Sequence, residues 1–118
     1  MTKFYTDAHY NPDTKEATFG VYCPAKDYKH SAFLPSNFDN SLQAEFAAIE
    51  QTVKVVQEQF VPSEPDTHFE VHSDSARAIE KWGSIDHLPV PHISVTWSPR
   101  ESIGIQNADR VASSLSSV

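Results

Sequence analysis

The sequence predicts an α/β domain built on a mixed five-stranded sheet with about three helices on its faces. Three observations carry this expectation. Ala17, Phe19, Val21 and Cys23 alternate with Thr18, Gly20 and Tyr22, the period of a pleated strand. Leu42, Phe46, Ile49, Val53, Val56 and Phe60 recur at steps of three and four, the period of an amphipathic helix. The segments run as three strands with short connections, then alternating helices and strands. That order gives an antiparallel meander extended by strand–helix–strand crossovers.

The elements follow in chain order. Residues 3–10 and 17–23 read as strands joined by the turn-rich connector Asn11-Pro12-Asp13-Thr14-Lys15-Glu16. A third strand spans Tyr28 to Leu34 and is ended by Pro35. Ser41 is the expected N-cap of the long helix, which Pro62 and Pro65 terminate. His68 to Ser73 reads as the fourth strand, followed by a short helix from Ser75 to about Trp82. After a loop holding Pro89 and Pro91, the alternation of Ile93, Val95 and Trp97 predicts the fifth strand. A final helix is expected over Asn107 to Ser117, opened by Asp109. Trp82 and Trp97 read as core residues.

A length of 118 residues suits one domain, and no repeat, low-complexity tract or linker divides it. No apolar run is long enough to span a membrane, and the N-terminal stretch has no apolar signal core, so the expected compartment is the cytoplasm. Cys23 is alone, which excludes an internal disulfide and any cysteine-based zinc site. The net charge is −7, and the nine cationic residues are scattered without a basic run. Tight binding to a polyanion is therefore not expected from global electrostatics.

Four acidic residues occupy informative positions. Asp7 lies inside the first strand, where a carboxylate is costly unless it has partners. Glu45 sits in the first turns of the long helix, one position before Phe46 on the apolar stripe. Asp74 directly follows the fourth strand, at the sheet end where α/β proteins place ligands. Asp109 falls in Asn107-Ala108-Asp109-Arg110. Taken singly, Asp74 and Asp109 read first as helix caps or dipole partners and Glu45 as a solvated helix residue. Asp7 has few structural uses.

Together the four resemble the motifs of the ribonuclease H family, type 1 branch, over nearly the whole chain. The matching motifs are Thr6-Asp7-Ala8 on the first strand, Ala44-Glu45 followed by Ala47-Ala48-Ile49 on the first helix, Ser73-Asp74-Ser75 after the fourth strand, and Ala108-Asp109-Arg110-Val111-Ala112 on the last helix. The resemblance implies a sheet of order 3-2-1-4-5 with strand 2 antiparallel. It also implies two Mg²⁺ or Mn²⁺ ions held by Asp7, Glu45, Asp74 and Asp109. Asp7 would bridge the ions, with Glu45 and Asp74 on one and Asp109 on the other. Carboxylates suit such hard cations, and a pair of ions roughly 3.5–4 Å apart can activate water and stabilise a departing oxygen. The implied activity is hydrolysis of the RNA strand of an RNA–DNA hybrid, leaving 5′-phosphate and 3′-hydroxyl ends.

The sequence also departs from the family's pattern. In place of a Gly-His-X-Gly loop it has Trp97-Ser98-Pro99-Arg100-Glu101-Ser102, so Arg100 or Glu101 is the candidate substitute for the loop histidine. At the stretch that touches the hybrid's minor groove it has Asn40, Ser41 and Leu42, and Leu42 offers no side-chain hydrogen bond. The nine residues between Trp82 and His92 are too few for the basic protrusion of some members. Asn40, Ser41 and Arg100 are the candidate nucleic-acid contacts to a weakly bound hybrid; a homo-oligomer or a protein partner could supply further positive charge. Among six histidines, only His9, two residues from Asp7 on the same strand face, is placed to approach the metals. His68 and His72 are expected on one strand face. The alternative to the enzyme is a catalytically weak or inactive ribonuclease H-like module that binds nucleic acid or protein. An exonuclease of the same fold would need Asp-X-Glu where this chain has Asp7-Ala8-His9.

Overall fold

The computed structural model describes residues 2–35, 37–84 and 92–116. Strands β1 (Thr2–Tyr10), β2 (Ala17–Cys23) and β3 (Tyr28–Phe33) come first, with a short 3₁₀ turn at Pro24–Lys26. Helix α1 (Ser41–Gln59), β4 (Phe69–Ser73), α2 (Ala76–Ser84), β5 (Ile93–Trp97) and α3 (Ile103–Ser116) follow. The sheet order is β3-β2-β1-β4-β5. Strand β2 runs antiparallel to both neighbours, while β1–β4 and β4–β5 are parallel. This is the predicted architecture. No helix among the described residues is long and apolar enough to cross a membrane. His87 and the loop with Pro89 and Pro91 lie outside the described residues.

One sheet face carries α1. Phe4, Val71, Phe69, Ile49, Val53 and Val56 form its fully or nearly fully buried core. Inside that apolar layer, the Thr52 hydroxyl bridges to Thr6 Oγ1 and to the Ala48 carbonyl, both at 2.8 Å. This buried pair pins α1 to β1 one residue before Asp7 and two helical turns after Glu45. The other face carries α3 over β1 and β2. Gly20 makes that approach possible, because a Cβ there would lie closer than 3.0 Å to the Ala108 carbonyl oxygen and the Ala112 nitrogen. A second contact pins the helix at the same height: Thr18 Oγ1 donates to the Ala112 carbonyl at 2.8 Å. Strand β2 is consequently buried on both faces, and its alternation marks two different contacts rather than core against solvent.

Several boundaries differ from the sequence expectation. The N-cap of α1 is Asn40, whose side-chain oxygen accepts from the Gln43 N–H at 2.9 Å; Ser41 is the first helical residue and is exposed. Both residues are good caps, and the side-chain oxygen nearer the free N–H groups takes the role. Helix α3 begins four residues before the expected Asn107, with Ser102 Oγ accepting from the Ile105 N–H at 3.3 Å. Asp109 therefore lies inside the helix instead of opening it. Ile103-Gly104-Ile105 has poor helix propensity, and packing overrides it: the Tyr5 ring occupies the space a Cβ on Gly104 would need. Strand β4 starts at Phe69, so His68 falls outside the strand and shares no strand face with His72; its Nε2 meets Ser94 Oγ at 2.9 Å. Trp97 is 54% exposed, at the end of an edge strand, and is not a core residue. Trp82 does pack on the core, with its ring 6.1 Å from that of Phe46.

Candidate metal centre

Where β1 and β4 part, the sheet opens a site. Their pairing ends at Tyr5 opposite His72. Two residues further along each strand direction stand Asp7 and Asp74, on one face because side chains alternate. The chain turn that follows β4 is fixed by backbone and hydroxyl bonds. Ser73 Oγ accepts from the Ser75 N–H at 3.1 Å, and the Ser73 carbonyl accepts from the Ser98 N–H at 2.9 Å. Glu45 reaches the same place from α1, and its Oε1 accepts from the Ala8 N–H at 3.3 Å.

These three carboxylates converge: one oxygen each from Asp7, Glu45 and Asp74 lies within 4.8 Å of the others. Asp109 is outside that mutual distance but lies beside Asp7, close enough for the two carboxyls to share a hydrogen bond, and it is exposed where Asp7 is only 6% exposed. It nevertheless lines the same cavity of about 160 Å³, together with Asp7, Ala8, Asp74, Arg100, Ile105 and Gln106. Three of the four predicted acids thus form a tight group, with the fourth on its wall.

The electrostatics follow from burial and like charge. The Asp7 carboxyl is pushed from 3.8 up to about 10, first by burial, then by the negative charge of Glu45, then by the nearby Asp109 and Asp74. Glu45 is raised to about 7, by burial first and Asp74 second, offset in part by the Ala8 N–H, Asp7 and Arg100. The two titrate as a pair that holds a proton at neutral pH. Arg100 is the local counter-charge: its Nε donates to Asp74 Oδ2 at 3.0 Å, and its side chain is 84% exposed.

A divalent cation fits this set. Among the described residues Glu45 Oε2 is buried with no hydrogen-bond partner, a costly state that a cation would relieve. Three hard oxygen donors from separate elements also match what Mg²⁺ or Mn²⁺ takes.

The remaining sequence candidates divide. Arg100 lines the cavity. Glu101 and His9 are exposed and line neither this cavity nor the groove beside it. Asn40 uses its side chain as the α1 cap, whereas Ser41 lines the adjoining groove of about 560 Å³. That groove is completed by Tyr10, Pro12, Leu42, Ser75 and Arg77 beside Ala8, Glu45, Asp74 and Arg100. Sequence reasoning missed Tyr10, Arg77 and Gln106. Arg77 carried a usable signal, since it lies three residues after Asp74 in the first turn of the following helix.

The fold and this cluster define the class: the chain has a ribonuclease H-like fold. Among solved structures it is similar to LC11-RNase H1, isolated from compost by a metagenomic approach. The TM-score is 0.69 at 18% identity, over 96% of this chain and 93% of that one. It is equally similar to LC11-RNase H1 in complex with an RNA/DNA hybrid, with a TM-score of 0.70 at 19% identity, over 97% and 95% of the two chains. No protein-family model matches the sequence, and no curated protein matches it.

Proposed function

We propose that this protein is a metal-dependent endoribonuclease that hydrolyses the RNA strand of RNA–DNA hybrids. The observation that carries the reading is the convergence of Asp7, Glu45 and Asp74 at the mouth of a ribonuclease H-like sheet, with the buried Glu45 Oε2 unpartnered among the described residues. A structural neighbour that binds such a hybrid supports the substrate class.

In this reading Asp7, Glu45 and Asp74 hold one Mg²⁺ or Mn²⁺ ion, and Asp109, on the cavity wall with Asp7, completes the position for a second. When bound, the pair would lower the pKa of a water and stabilise the departing 3′-oxygen. The chain's own groups prepare for this. Metal binding takes the proton from the Asp7–Glu45 pair, so loading is favoured as pH rises. The Thr6–Thr52 and Ala8–Glu45 hydrogen bonds hold two of the ligands in place before any ion arrives. Arg100, exposed and next to Asp74, is positioned to meet a phosphate at the cavity mouth, and Glu101 is not.

The test is cleavage of an RNA–DNA hybrid, duplex RNA and duplex DNA, each with Mg²⁺ and with Mn²⁺, beside the Asp7→Asn variant. Hybrid cleavage that disappears in Asp7→Asn is expected. Folded protein that cuts no hybrid with either metal overturns the enzyme reading in favour of a binding module, which the net charge of −7 and the apolar Leu42 in the groove would suit.

A further inference from the structure

We infer that Arg77 is a positioning residue that grips a backbone phosphate of the bound hybrid, away from the one being cut. This rests on the nucleic-acid reading above and says how a chain of net charge −7 holds a polyanion at all.

The cations of the chain narrow the choice. Lys15 pairs with Asp39, Lys26 with Glu64 and Arg100 with Asp74. Lys81 lies over the Phe46 ring, 4.8 Å from its centroid. Lys29 and Arg110 line a separate hollow of about 340 Å³ where β3 meets α3. Among the described residues, the groove beside the carboxylates has two cations, Arg77 and Arg100, and Arg100 is already engaged with an acid. Arg77 is exposed, and no ion pair or hydrogen bond to its side chain occurs among the described residues.

Its position in the helix is also locally unfavourable. Arg77 is the second residue of α2, in the first turn, where the helix dipole disfavours a cation. A locally unfavourable residue without a compensating partner marks a site kept for a ligand. The ligand's chemistry follows from the surroundings. An unpaired guanidinium matches phosphate in a bidentate fork. Arg77 lines the outer groove but not the inner cavity of Asp7 and Asp109, so the phosphate it meets flanks the scissile one.

The experiment measures hybrid binding by fluorescence anisotropy in Mg²⁺ over a salt series, in an Asp7→Asn background that prevents turnover. Arg77→Ala is expected to weaken binding about threefold to fivefold, the scale of one exposed ion pair. It should also reduce the slope of log Kd against log salt by about one. Arg77→Lys should retain the slope, and Lys29→Ala, on the opposite edge of the sheet, should change neither quantity. Circular dichroism checks that each variant is folded. An unchanged slope in Arg77→Ala overturns the inference, as does an equal loss in Lys29→Ala or no binding by any form. Arg77-dependent binding with no cleavage by the wild type in either metal would uphold the grip and remove the nuclease reading alone.

Discussion

Replacing Asp7 by Asn should stabilise the metal-free protein while abolishing its metal response. In the folded state Asp7 holds its proton up to about pH 10, against 3.8 for the free side chain. At pH 7 folding must therefore protonate it, across roughly three pH units at about 1.4 kcal/mol each, or about 4 kcal/mol. Local relaxation and water entry reduce such figures, so we expect a gain of about 2 kcal/mol in Asp7→Asn, near 8 °C in melting temperature. The sign with pH is fixed by linkage. A carboxyl whose folded value is raised contributes stability below its unfolded value and loses it as pH rises toward the folded one. The advantage of Asp7→Asn should be absent near pH 3.5, appear above about pH 4 and grow through neutrality. Glu45, raised to about 7, gives the wild type a decline of the same sign between about pH 4 and 7. Thermal melts in chelator across pH 3.5–9, repeated with Mg²⁺ and Mn²⁺, test this. Metal should raise the wild-type midpoint and leave the variant's nearly unmoved. A variant no more stable than wild type at pH 7, or one whose advantage is largest in acid, would refute the account of burial and like charge.

The helix contacts give further expected outcomes. Gly20→Ala should destabilise by about 1–3 kcal/mol in urea unfolding, because its Cβ meets α3 backbone that cannot move aside alone. The same variant should lose cleavage activity beyond its stability defect, since α3 carries Asp109 next to Ala108. Asn40→Ala should cost about 1 kcal/mol and Ser41→Ala much less, a difference that would reverse if Ser41 were the cap. Thr52→Val keeps the shape of the side chain but leaves Thr6 Oγ1 without its 2.8 Å partner, and should cost about 1–3 kcal/mol in chemical unfolding.

Read from the sequence, the strands, the long helix and the identity of the acidic residues were legible because each leaves a local mark. Period-two alternation marks β2 and β5, period 3.6 marks α1, and a carboxylate inside a strand is expensive enough to stand out at Asp7. Less was visible where a tertiary contact overrules a local preference. Helix α3 starts earlier than its composition suggests because Gly104 fits beneath the Tyr5 ring, and Gly20 reads as a weak strand residue until α3 is laid across it. Trp97 reads as core and stands exposed because its strand is the sheet edge.

The sequence by itself determined the order of four acids on separate elements. Only the tertiary structure decided their distances. The splitting of β1 from β4 after Tyr5 and His72 brings Asp7 and Asp74 together, and the buried Thr6–Thr52 bond sets α1 so that Glu45 joins them. Asp109 meets Asp7 from α3, on the wall of the same cavity. Arg77 gained meaning in the same way, since only the folded chain places it in the groove of Glu45 and Asp74. Charge type is a property of composition, whereas convergence and pairing depend on contacts between residues far apart in the chain.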